Sequence, residues 1–137
     1  MDTKRAWISS YAKNILRQVI IDDKIITIKE IPVKIYDMAL AKSNDILISI
    51  IKSSGVKLIT QSGQIKPFLS LAPLITTGIH VTNNNDIILG VVEEYKFKLT
   101  DKTCRKIIVF GENMKVKQSH QYSKRKNYLL YHAESLM

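Results

Sequence analysis

The sequence predicts an all-β fold built from repeated four-stranded antiparallel sheets, and three observations carry that reading. SNDILIS at residues 43–49 returns as NNDIILG at 84–90, 41 positions later, a spacing that marks stacked or radially arranged units. The apolar runs are short, rich in β-branched residues and separated by Asn, Asp, Ser and Gly clusters, as strands joined by hairpin turns are. They also lack the 3.6-residue apolar period that helical repeats of similar length would show.

The repeat extends towards the N-terminus without a gap, so that IYDMALAKSNDILIS (35–49) lies over TTGIHVTNNNDIILG (76–90). Met38 falls on Ile79, Leu40 on Val81, Asn44 on Asn85 and Asp45 on Asp86. Each copy reads as an alternating strand, a polar turn and a second apolar strand. The first copy goes on through VKLITQ (56–61), a Ser62-Gly63 turn and QIKPFLS (64–70). Pro67 suits an outer edge there, because proline cannot donate a ladder hydrogen bond. Residues 35–76 are thus expected to form one complete four-stranded unit.

A second complete unit is expected at 77–122, where RKIIVFGENMKVKQSHQY (105–122) supplies the third and fourth strands and residues near 93–104 are an insertion. Residues 1–34 read as a partial unit, with Trp7-Ile8-Ser9 as its second strand, NILRQVI (14–20) as its third, a turn at Asp22-Asp23 and KIITIKE (24–30) as its fourth. The remaining residues, 123–137, are a basic tail or, through YLLYHA (128–133), the start of a further unit. Four short antiparallel strands in each period of about 40 to 45 residues is the layout of a β-propeller blade. The expected architecture is a partial, open β-propeller of about two complete blades with incomplete ones beside them.

The segment from Ile35 to Gly111 resembles the C-terminal propeller of tripartite-motif proteins, specifically the NHL-type repeats of the invertebrate set. Gly78-Ile79-His80-Val81 and Asn85-Asp86-Ile87-Ile88-Leu89 carry the resemblance best. The Asn-His-Leu signature itself is missing, and Thr82 and Ala41 stand where the family places an acidic residue. Full-length relatives are similar to ubiquitin ligases, in which zinc modules support catalysis and the propeller chooses the target. The resemblance therefore implies a substrate-recognition module and a truncated or partial gene product. A RING domain or B-box needs clusters of zinc-binding Cys and His, and this chain has one cysteine, Cys104.

Composition limits the other function classes. The chain has 137 residues, 45% of them hydrophobic, which is enough for one cored domain. No apolar run approaches the roughly 20 residues that a spanning helix requires, and the N-terminus lacks the apolar centre of a signal peptide. A lone cysteine fits a reducing compartment, so the expected location is cytoplasmic, away from membranes. The balance of 21 basic and 12 acidic residues gives +9, favouring an acidic protein face, RNA or another anionic partner.

No constellation suggests an enzyme, a metal or a cofactor. His80 shares a strand with Ile79 and Val81 and is expected to point away from their face, while His120 and His132 stand isolated in a basic region. Asp45 and Asp86 recur at one place in successive units, which suits local turn hydrogen bonding rather than paired carboxylate chemistry. The expected function is non-catalytic protein binding through rim loops or edge strands. The alternative is RNA binding, because Lys115, Lys117, Lys124, Arg125 and Lys126 lie near Tyr122, Tyr128 and Tyr131, cations for phosphates beside rings for bases. An open arc also leaves unpaired edges, which invite self-association.

Overall fold

The computed structural model describes residues 4–10, 12–93, 105–123 and 128–132. Among the described residues twelve strands form three antiparallel sheets, and no helix occurs. The chain divides into two compact units, Met1–Ile35 and Tyr36–Met137.

The first unit is a three-stranded meander, β1 (Lys4–Ser10), β2 (Ile15–Ile21) and β3 (Ile25–Pro32), in the order β1-β2-β3. The central strand supplies the buried Leu16 and Val19, each stabilising by about 1.5–3 kcal/mol relative to exposure. Arg17 and Glu30 face each other across β2 and β3 and bond at 2.9 Å. Ile25, Ile26 and Ile28 of β3 remain exposed.

The second sheet is β4 (Ile35–Leu40), β5 (Ile46–Ile50), β6 (Val56–Ile59) and β7 (Ile65–Leu69), paired in chain order. Pro67 sits on the outermost strand, opposite Lys57, where its missing N–H costs the ladder least. Ile46, Leu47, Ile48 and Ser49 are all buried, and because alternate residues point to opposite faces, β5 is covered on both sides.

The third sheet runs β8 (Ile75–Val81), β9 (Ile87–Val92), β10 (Arg105–Phe110), β11 (Val116–Ser123) and β12 (Tyr128–His132). β10 pairs with β9 from Arg105↔Val92 to Phe110↔Ile87, so the ladder is continuous across the long connection. Residues 94–104 of that connection, expected as an insertion, lie outside the described residues. The expectation that 128–133 opens a further unit gives way to the pairing observed: β12 adds to β11, from Ser123↔Tyr128 to Ser119↔His132.

Four hairpin turns share one geometry. In residues 41–45, 60–64, 82–86 and 111–115, the first N–H donates to the last carbonyl and the fourth N–H donates back to the first carbonyl. The fourth residue has positive φ each time: Asn44 (64°), Gly63 (90°), Asn85 (64°) and Met114 (58°). This is a three-residue hairpin loop closed by a left-handed residue. Asn tolerates that conformation better than most side chains, which explains why Asn44 and Asn85 survive at the same place in both copies.

The second and third sheets share a core of Leu47, Val56, Ile79, Leu89, Val91, Ile108 and Phe110. Polar ties fasten it. β8 is bulged: Thr76 pairs with Val91 and Ile79 with Leu89, so that Thr77 and Gly78 together face Gly90. A bulge removes backbone groups from the ladder, and the second sheet satisfies them. The Ser49 hydroxyl donates to the Thr77 carbonyl, and the Ile79 N–H donates to Asp37 Oδ2 at 2.9 Å. Beside them the Gly55 N–H donates to Thr76 Oγ1 at 2.9 Å, and the Thr76 N–H to the Ser53 carbonyl at 3.1 Å. Ser49 and Thr76 are 0% and 1% exposed, whereas Asp37, Thr77 and Gly78 are half-buried.

Replacing Asn44 or Asn85 by Ala is expected to cost about 1 kcal/mol each, with Gly at either position close to the parent, since alanine keeps the Cβ that the left-handed conformation penalises but loses the polar side chain that offsets it, and glycine has no Cβ. Urea unfolding of the two pairs of variants checks this.

Candidate interaction surface

The shared turns bring one end of the second sheet against one end of the third. Between them opens a cleft of about 380 Å³, whose apolar lining includes Leu47, Leu58, Phe68, Val81, Ile87 and Met114. Phe68 is 37% exposed. Lys42 in the first turn and Glu112 in the last approach to 3.8 Å across the cleft, both well exposed. Such a pair contributes little to stability, but it places opposite charges beside an apolar groove. The Gln61 amide donates to the Ser43 carbonyl at 3.1 Å, holding two turns of the second sheet together.

A neighbouring hollow of about 480 Å³ is bordered by the polar residues Asn84, Asp86, Glu112, Asn113, Lys115 and Lys117. Lys117 donates to both Asp86 oxygens, at 3.0 and 3.1 Å. Its stem passes over Gly111, where an added Cβ would come within 2.9 Å of Lys117 Cε. The two aspartates expected to serve their own turns therefore differ. Their backbone carbonyls close the hairpins, while the Asp45 carboxylate accepts from the Ser43 hydroxyl at 3.0 Å and Asp86 accepts from Lys117. The difference arises because β11 brings a lysine over the second turn.

Of the residues expected to meet RNA, Lys115 is exposed at the end of its turn and Lys117 is engaged by Asp86. The backbone of Tyr122 is in β11, opposite Arg105 and Leu129. Lys124, Arg125 and Lys126 lie outside the described residues. His80 is exposed while Ile79 is buried, and His120 lies 3.2 Å from Gln118 Oε1. Among the described residues no group of three or more His, Cys, Asp or Glu side chains could hold a metal ion, and no helix is long and apolar enough to cross a membrane.

Asp37, Ser49, Lys42 and Glu112 were not singled out by the sequence. Asp37 and Ser49 did leave a trace, since both break the repeat: Gly78 and Gly90 occupy their places in the next copy.

Comparison with protein-family models, curated proteins and solved structures finds no match.

A double-mutant cycle of Asp86→Asn and Lys117→Met is expected to give a coupling of about 1 kcal/mol or less that shrinks as salt is added, as for a partly exposed ion pair. Chemical unfolding at low and high ionic strength measures it.

Proposed function

We propose that the chain is an arc of β-propeller blades acting as a non-catalytic protein-binding module, with the apolar cleft between the second and third sheets as its contact point. The observation that carries the reading is the cleft itself. Loops from two sheets converge on it, Phe68 stands partly in solvent, and Lys42 and Glu112 offer paired charges. A small apolar pocket with polar groups beside it is how protein interfaces seat an anchoring side chain. The repeated sheets and turns support the blade reading, and the resemblance to tripartite-motif propellers supports target recognition as the role.

RNA binding through the basic segment is the second reading, favoured by the net charge of +9. It ranks lower because Lys117 is already neutralised by Asp86, which removes one cation from the phosphate-binding set.

Photo-reactive amino acids placed singly at Phe68 and Lys115 in cells test both. Protein adducts at position 68 that disappear in a folded Met114→Asp variant are the expected result. RNA adducts at position 115 without protein adducts at 68 would overturn the proposal in favour of the alternative.

A further inference from the structure

The turns at residues 41–45, 60–64, 82–86 and 111–115 share one backbone, so equivalent places in them can be compared directly. The second place holds Lys42, Gln61, Asn83 and Glu112. Two of these are neutral amides. The other two are opposite charges that meet at 3.8 Å beside the cleft, 71% and 74% exposed, and they are the only charged side chains among its described lining residues. Because the turns fix the backbone beneath them, the positive charge belongs to one wall and the negative charge to the other.

The fourth place takes the left-handed conformation and holds Asn44, Gly63, Asn85 and Met114. Asn and Gly suit it, whereas the Met side chain makes no local hydrogen bond that would offset the cost of its Cβ. A residue kept against a local backbone preference points to a requirement from elsewhere. Met114 is half-buried and lines the cleft together with Leu58 and Phe68. An unbranched thioether re-packs around apolar groups of different shape, so this wall adapts to what enters.

Resting on the protein-binding reading above, we propose that the cleft's occupant is a peptide segment in which one large apolar side chain has an acidic residue on one side and a basic residue on the other. A volume of about 380 Å³ lies near the lower limit of ligand pockets, roughly 300 Å³, and suits a single anchoring side chain. The acid meets Lys42 and the base meets Glu112. Parting the Lys42–Glu112 pair costs little, because exposed pairs hold weakly, and each charge regains a partner on binding. Rim charges select and orient a partner more than they add affinity. The apolar anchor holds the segment, and the charges reject segments whose flanks carry a single sign.

A displayed library of short peptides, each with a central Trp, Phe, Leu or Met and random flanks, tests this on the purified full chain. Peptides selected by the parent are expected to carry one acid and one base about the anchor. They are expected to lose binding to Met114→Asp, since Asp tolerates the left-handed turn but puts a charge into the apolar wall. Glu112→Lys is expected to shift the selection to flanks acidic on both sides, and Lys42→Glu to flanks basic on both sides, each by about five- to tenfold in relative affinity. All variants are compared at parental circular dichroism. Peptides that need Met114 but have indifferent flanks, or flanks unmoved by the two charge reversals, would overturn this inference and leave the protein-binding reading in place. Failure to select any peptide, or selection that survives Met114→Asp, would overturn both. Dimerisation of the chain that Met114→Asp abolishes would assign the cleft to a second copy and overturn the inference.

Discussion

The packing of the second sheet on the third depends on a bulge. Where Thr77 and Gly78 face the single residue Gly90, the strand turns a carbonyl and an N–H out of its own ladder and towards its neighbour. Left unmade in this half-buried interface, each hydrogen bond would cost up to about 1–3 kcal/mol. Ser49 and Asp37 receive them, and Asp37 also holds its own strand by accepting from the Met38 N–H at 2.8 Å. The apolar core around Leu47, Leu89 and Val91 supplies the larger energy, but apolar contact alone tolerates sliding. The polar ties fix which residues of the two sheets stand opposite each other.

That registration explains the surface at the turn end. The cleft exists because the turns of residues 41–45, 82–86 and 111–115 end near one another, and it has defined walls because the strands beneath are locked. Gly90 belongs to the same device: a Cβ there would approach Thr77 Oγ1 to 2.8 Å, so a side chain would press on the bulge. One copy of the repeat thus carries the polar hooks, and the next carries glycine at those positions and a bulge to receive them.

Much of the strand pattern was legible in the sequence. The alternation of apolar residues, the Asn/Asp turns and the position of Pro67 each reflect a local rule, so the hairpins at 35–50 and 105–122 could be placed without coordinates. What could not be read was tertiary. The Asp86 side chain goes to Lys117, 31 residues away, rather than to its own turn, and β12 joins β11 instead of opening a further sheet. Asp37 and Ser49 break the repeat, and they are its inter-sheet contacts. A repeat search rewards similarity, and inter-sheet specificity is carried by the positions that differ.

The most direct test of this account is amide hydrogen exchange at Ile79, followed by NMR in the parent chain and in Asp37→Ala. The Ile79 N–H should be protected in the parent. It should exchange roughly 10- to 100-fold faster in the variant, the loss expected for a hydrogen bond to a charged acceptor, with the amides of β9 and β10 little changed. Rapid exchange of Ile79 in the parent, or protection that survives Asp37→Ala, would contradict the claim that the second sheet holds the bulge of the third.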